Sequence, residues 1–317
     1  MSRWRSDADY SSATPDTTVD FASGRGSARG ASSPIHDGCH IVTARLPGGG
    51  HMDLKVPTGD DIGDRIAASS LPYETVNLTI VDAFLPRNPS IIDVGANVGN
   101  HAIYWALTHH ARVTAFEPYA PAQQLLDANI ARNGVGHLIE VHHLALGAGP
   151  GTATPQPRPG NLGATRLRTA RAGQIPVAAL DTLRPTHLDL LKIDVEGDEM
   201  GVLEGASHLL DALRPIVWVE VLSHADRTAT QELMGGHGYR VMAMLSPTNA
   251  LFLPRWKSVL RLAVRPRSMY PYVRRSLGQR VRHLRAHPRL AQPRGGAVKP
   301  GRRPGWPQRP GPQASPS

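Results

Sequence analysis

IIDVGANVGNHAIYWAL, residues 91–107, decides the fold. Ile91, Ile92 and Val94 form a short, largely β-branched apolar run. That composition suits a strand covered on both faces of a parallel sheet. Gly95 and Gly99 follow, and without a Cβ they permit a sharp turn and a close approach of backbone to ligand. From Asn97 to about Leu107 the spacing turns helical, with Ile103, Ala106 and Leu107 able to share one apolar face. A strand, a glycine turn and a helix N-terminus make a candidate cofactor site. A ligand there meets free backbone N–H groups, bare backbone and the polar side chain that ends the strand. That side chain is Asp93. A carboxylate disfavours a phosphate in the turn, and the glycines a dinucleotide fingerprint needs are replaced by Asn97 and Asn100. No Gly-Lys-Ser/Thr follows, which excludes a P-loop. A cationic or zwitterionic ligand fits better, and S-adenosylmethionine, with its ammonium and sulfonium, is one.

The next apolar run, ARVTAFE, residues 111–117, ends in Glu117. It lies about twenty residues on, where Rossmann-like folds place a carboxylate on the ribose hydroxyls. Pro118 stops the strand and directs the chain into another helix. Glu117 would reject a 2′-phosphate.

With DVGANVGN, AFEP, NIARNG, LLKIDVEGDE and a strand ending VEV in that order, the chain resembles the FkbM family of S-adenosylmethionine-dependent methyltransferases over roughly residues 73–253. One glycine motif alone would be a weak signal; five segments at matching intervals are a specific one. The resemblance implies an α/β, Rossmann-like class I methyltransferase fold: a mostly parallel seven-stranded sheet with helices on both faces, its last strand antiparallel. It also implies O-methylation of a sugar or natural-product hydroxyl. Asp93, Gly95, Asn97, Gly99 and Glu117 then bind the cofactor, and Ala145 and Leu146, at the end of a third strand expected over residues 139–146, touch its adenine. Asn161 and Arg166 sit in a segment that resembles one lying over the family's active site. Tyr73-Glu74 occupies the place of an aromatic-acid pair that meets cofactor or substrate, or only packs.

The strand LDLLKID, residues 188–194, ends in Asp194. In a doubly wound sheet, ligands sit outside the carboxyl ends of the strands, so Asp194 should face the same crevice as Asp93 and Glu117. Methyl transfer to a hydroxyl needs a base, or a metal that lowers the hydroxyl's pKa. Asp194 serves either role. As a ligand of a divalent metal such as Mg²⁺ it needs further oxygens, which Glu196 and Glu220 can supply; Glu196 is also a candidate acceptor contact. Asp198 and Glu199 read as the acidic first turn of a helix, favoured there by its dipole. His224, after the strand IVWVEVL, is the alternative base.

At 317 residues the chain can bury a sizeable core. The single cysteine, Cys39, excludes an internal disulfide and a cysteine-rich zinc site. The first residues lack the apolar stretch of a signal peptide, and no run of about eighteen apolar residues occurs, so a cytoplasmic protein is expected. The net charge of +9 is unevenly spread: residues 255–317 hold 16 of the 35 Lys and Arg and no Asp or Glu. The rest of the chain is therefore mildly acidic.

Four segments are expected. Residues 1–38, poor in apolar residues, are expected to be disordered. Residues 39–85 form a hairpin, over residues 40–56, and a helical lead-in. Residues 86–254 form the methyltransferase domain. Residues 255–317 form a basic tail, with Val273, Leu277, Val281 and Leu284 on one side of an amphipathic helix and Pro, Gly and Arg beyond. Such a tail is open to weak contact with an anionic membrane, which would make the protein membrane-peripheral. Residues 147–173, rich in Gly and Pro, read as a long loop. The partner expected is a small-molecule or glycan acceptor and not a nucleic acid, since DVEG stands where an Asn/Asp-Pro-Pro-aromatic motif would be. Two other readings stay open: a module that binds the cofactor without turnover, and a nucleotide- or NAD-binding Rossmann-like enzyme.

Overall fold

The computed structural model describes residues 38–158, 161–170 and 172–255. All of these lie in the first of the chain's two compact units, residues 1–265. The expectations for the N-terminal segment and for the basic tail fall outside the described residues.

The hairpin is present: β1 (Cys39–Arg45) pairs antiparallel with β2 (His51–Pro57), with Val42 opposite Leu54. Helices α1 (Asp61–Ser69) and α2 (Thr75–Asp82) follow; Asp60 caps α1 by accepting from the N–H groups of Ile62 and Gly63. The central motif becomes β3 (Ser90–Val94) and α3 (Asn100–His109), then β4 (Arg112–Phe116), α4 (Ala120–Arg132) and β5 (Ile139–His142). Next come the short strands β6 (Ala145–Leu146), β7 (Gly151–Arg158), β8 (Asn161–Thr169) and β9 (Ile175–Ala178). A 3₁₀ turn at Leu180–Leu183 leads to β10 (Leu190–Ile193), α5 (Glu199–Glu204) and α6 (Ser207–Leu213). The described chain ends with β11 (Ile216–Glu220), α7 (His224–Gly236), β12 (Tyr239–Ser246) and β13 (Asn249–Pro254).

Seven strands form one sheet in the order β12-β13-β11-β10-β3-β4-β5. β3, β4, β5, β10 and β11 are mutually parallel, and β13 runs antiparallel to both β11 and β12. The alternation of side chains along each strand separates two cores. Ile91, Leu190, Ile216 and Trp218 face α1 to α4, with Ala102, Ile103, Leu125 and Leu126 packed on them. Ile92, Val94, Leu191, Ile193, Val217 and Val219 face α5 to α7, against Val202, Leu203, Leu210 and Met234. Burial on both faces explains why the strands read as continuous apolar runs rather than as alternating ones. Among the described residues, no helix is long and apolar enough to cross a membrane.

Three expectations need correction. Residues 147–173 are not a loop: β7 and β8 form an antiparallel hairpin in a four-stranded sheet of order β6-β9-β7-β8. Its apolar core is only Ala145, Ala153 and Ile175, with Leu167 and Val177 beside them, too few for a period-two signal. Pro155 and Pro157 are tolerated because β7 pairs with β9 only over Gly151–Ala153; beyond that it has one neighbour. The strand expected over residues 139–146 divides, β5 joining the main sheet and β6 the small one. The helix expected to start with Asp198 and Glu199 is interrupted at Gly205 and Ala206, and the Asp181 carboxylate accepts from the N–H groups of His208 (2.9 Å) and Leu209 (2.8 Å) at the start of α6.

Candidate active site

A cavity of about 380 Å³ opens at the carboxyl ends of β3, β4 and β10, bounded on the far side by β7 and β8. Its wall carries Gly95, Asn97, Glu117, Ala145, Leu146, Arg166, Asp194 and Glu196, so most of the residues expected at the site converge there. Gly95 takes φ +81°, and a Cβ at that position would overlap the carbonyl oxygen of Asp194. Its glycine is required by both backbone conformation and space.

Glu117 is buried against this turn. Its Oε2 accepts from the Asn97 N–H at 2.8 Å and its Oε1 from the Tyr119 N–H at 2.8 Å. Each oxygen keeps a lone pair for a further donor. Burial pushes its carboxyl up to about 7, against the pull of those two backbone N–H groups. The Oδ1 atom of Asn97 is buried and has no hydrogen-bond partner among the described residues. A Cβ on Gly163 would come 2.6 Å from the Asn97 Nδ2, so β8 lies directly over the glycine turn.

Asp93 occupies a different place from the one expected. It is fully buried and is not part of the cavity wall; its Oδ1 lies 3.0 Å from the Nζ of Lys192, itself 1% exposed. Lys192 also approaches Asp194 Oδ2 at 3.5 Å and the Gly95 carbonyl at 3.4 Å. Burial works against the Lys192 ammonium, but the carboxylates of Asp93 and Asp194 outweigh it and hold its pKa above the ordinary value. The charge of Asp93 is therefore already neutralised, and it supports the turn from beneath instead of meeting a cationic ligand. Lys192 was missed because a lysine inside LLKID reads as an interruption of a buried strand; the pair of flanking acids was the available signal.

Asp194 is on the wall, and Glu220 shares a hydrogen bond with it. Burial, then the Asp194 charge and that bond, raise the Glu220 pKa well above the carboxylate range. Glu196, at φ +62°, is also raised, by burial and then by Asp194 and Glu199. One oxygen from each of Asp194, Glu196 and Glu220 lies within 4.8 Å of the others, a donor set suited to a hard divalent cation. Glu199, the first-turn acid of α5 as read from the sequence, also turns back to accept from the N–H groups of Val195 (3.3 Å) and Gly197 (3.0 Å), which fixes the loop carrying Asp194 and Glu196. Asp198 also lines the cavity.

Besides Asp93, the candidates His224, Asn161, Gly99 and Tyr73 do not line the cavity. His224 is exposed as the first residue of α7 and is not on the cavity wall, so it is displaced as the alternative base. Asn161 turns its Oδ1 to the Ala164 N–H, and Leu162, Gly163 and Thr165 line the cavity in its place. Gly99 forms the entry to α3 behind the wall. Tyr73 lies off the wall, gripped by Asn100: its N–H donates to Asn100 Oδ1 (3.0 Å) and its carbonyl accepts from Nδ2 (3.2 Å). Glu74 pairs with buried His101 at 3.3 Å. In NIARN, Asn129 on α4 and Asn133, which caps its C-terminus, bind the backbone of β2 at Lys55 and Asp53. Asn129 also donates to the Val98 carbonyl and so ties the hairpin to the glycine turn.

A seven-stranded sheet of this order with β13 alone reversed, and a cavity at the carboxyl ends of β3, β4 and β10, define a class I methyltransferase fold. Residues 93–241 match the family described as the Methyltransferase FkbM domain. The methyltransferase sdnD of Sordaria araneosa is 27% identical over 161 residues, covering 39% of this chain and 62% of that protein. The AMB antimetabolite synthetase AmbE of Pseudomonas aeruginosa is 47% identical over 49 residues, 15% of this chain and 2% of that protein. The chain thus spans less than two thirds of the length of these curated relatives. The crystal structure of a methyltransferase FkbM from Methylobacillus flagellatus KT superposes with a TM-score of 0.40 at 18% identity, covering 52% of this chain and 43% of that one.

Proposed function

We propose that this chain transfers a methyl group from S-adenosylmethionine to a hydroxyl oxygen of a small-molecule or glycan acceptor such as a sugar or another natural product. The observation that carries the reading is the position of Glu117. It is a buried carboxylate on the cavity wall, with both oxygens aimed by backbone N–H groups and each still able to accept a hydroxyl. Two vicinal ribose hydroxyls fit that arrangement. The unpartnered Asn97 Oδ1 suits an N–H donor such as the ammonium of an amino-acid group. Ala145 and Leu146 supply an apolar surface for an adenine.

S-adenosylmethionine supplies a methyl group already activated on a sulfonium. The protein's part is to align the acceptor oxygen with it and to take the hydroxyl proton. Asp194 receives that proton. Glu220, hydrogen-bonded to Asp194, and Lys192, 3.5 Å from its Oδ2, fix its orientation. A second reading uses Asp194, Glu196 and Glu220 to hold Mg²⁺, which would lower the hydroxyl's pKa.

Calorimetric titration of S-adenosylhomocysteine tests the core of the proposal. Wild type should bind it, Glu117→Ala should bind at least tenfold more weakly, and Asp194→Asn should bind comparably but transfer no methyl group in an acceptor screen of sugars and macrolides. A folded wild type that binds no S-adenosylhomocysteine would refute the reading and favour NAD or another nucleotide. Binding without turnover on any acceptor would favour the non-catalytic module. Activity lost in EDTA and restored by Mg²⁺ would select the metal-assisted mechanism.

A further inference from the structure

Residues 141–180 contain four arginines and no Asp or Glu, in a chain whose first 254 residues are otherwise acidic. Two of the four, Arg166 and Arg168, lie on β8 and line the cavity. Their cross-strand partners on β7 are Gln156 and Thr154, so by the alternation of a strand these four side chains share one face. That face bears two positive charges, two polar groups and no acid.

The opposite wall carries Asp194, Glu196 and Asp198. Arg166 and Arg158 act electrostatically on Glu196. Yet among the described residues no ion pair within 4 Å joins Arg158, Arg166 or Arg168 to any carboxylate, in contrast with Arg65, which reaches Asp61 at 2.8 Å. Exposed Arg166 and Arg168 and the acids thus line one cavity without pairing. A wall of solvated arginines opposite acids would gain by closing the gap, and here the gap is the site itself. The amino-acid end of S-adenosylmethionine brings one carboxylate, which can occupy one guanidinium and leaves the others free.

We infer that the acceptor carries an oxyanion, a phosphate or a carboxylate, held by Arg166 and Arg168 while its hydroxyl lies toward Asp194. This rests on the methyl-transfer reading of the same cavity. A guanidinium presents a planar fork of donors that matches either oxyanion in bidentate geometry, which a neutral sugar cannot use. The acceptor is then bound by its two ends: the acids orient the reacting hydroxyl, and the arginines set which molecules are admitted.

The test uses the full chain saturated with S-adenosylhomocysteine, titrated calorimetrically with inorganic phosphate and with acetate at constant ionic strength in chloride. At least one of the two should bind in the millimolar range and at least tenfold more weakly to Arg166→Gln/Arg168→Gln. The stronger of the two identifies the oxyanion. Glutamine keeps the strand polar, and the S-adenosylhomocysteine affinity of the double variant reports whether the cofactor site is intact. Wild type that binds neither anion, or binds both no better than the double variant does, overturns the inference. Failure of wild type to bind S-adenosylhomocysteine would instead be the failure of the methyl-transfer reading.

Discussion

Replacing Lys192 with Met retains most of the apolar stem and removes the ammonium. The structure indicates what that loss costs. Asp93 is fully buried, and Lys192 at 3.0 Å is its counter-charge. Removing one partner of a buried pair leaves an uncompensated charge and costs about 3–5 kcal/mol. Domains are typically stable by only about 5–15 kcal/mol, so this is a large fraction. At roughly 2–4 °C per kcal/mol for a domain of this size, the melting temperature should fall by about 6–20 °C. Adding Asp93→Asn to Lys192→Met removes the stranded charge and should recover about half of the loss or more. That recovery separates a charge effect from a packing defect. Urea unfolding of both single variants, the double variant and wild type, followed by circular dichroism, measures all four corners of the cycle. The reasoning fails if Lys192→Met stays within about 1 kcal/mol of wild type, or if the double variant loses the sum of the singles.

The raised carboxyl of Glu117 predicts a pH dependence of cofactor affinity. Above about pH 7 the group is ionised and accepts ribose hydroxyls, and below it the free protein takes up a proton that binding must displace. Affinity for S-adenosylhomocysteine should therefore weaken as pH falls from 8 to 6 and approach a tenfold loss per unit at the acid end. A flat profile over that range contradicts the assignment. Gly95→Ala drives a Cβ into the Asp194 carbonyl at a left-handed φ, so a folded variant with cofactor affinity reduced more than tenfold is expected by titration. Undiminished binding would show that the turn can move aside. Asn129→Ala leaves the Lys55 N–H, the Lys55 carbonyl and the Val98 carbonyl without their partner. At about 1 kcal/mol or more per stranded group, roughly 3 kcal/mol should be lost in urea unfolding. A change below about 1 kcal/mol would mean that water replaces all three bonds.

The main sheet was legible because its strands are buried on both faces. Ile91, Ile92 and Val94, and likewise residues 216–219, carry a fold-class signal that does not depend on knowing their neighbours. Glu117 could be read from its spacing alone, because a βαβ unit fixes the distance between one strand end and the next. The small sheet was hidden for the opposite reason. β7 and β8 are held by backbone pairing and a handful of small side chains, so their residues have a loop's composition. Asp93 was found as a site element but given the wrong contact, because a sequence cannot show that a lysine ninety-nine residues later reaches the same point in the sheet. His224 looked catalytic because it follows a strand carboxyl end. In the structure the chain turns outward at Ser223, whose hydroxyl accepts from the Asp226 N–H and starts α7 in solvent.

The same lysine ties the glycine turn to the segment that carries Asp194, the base proposed above. Lys192 lies opposite Asp93 in the parallel pairing of β10 with β3, and its ammonium is shared by Asp93, Asp194 and the Gly95 carbonyl. The Asp194 N–H donates to the Val94 carbonyl, and the Asp194 carbonyl fills the space that a side chain at position 95 would need. The glycine turn therefore cannot shift without moving the segment that carries Asp194. In the methyl-transfer reading proposed above, the acceptor oxygen becomes acidic only as its bond to carbon forms, so a base at position 194 would take the proton as the methyl group is transferred.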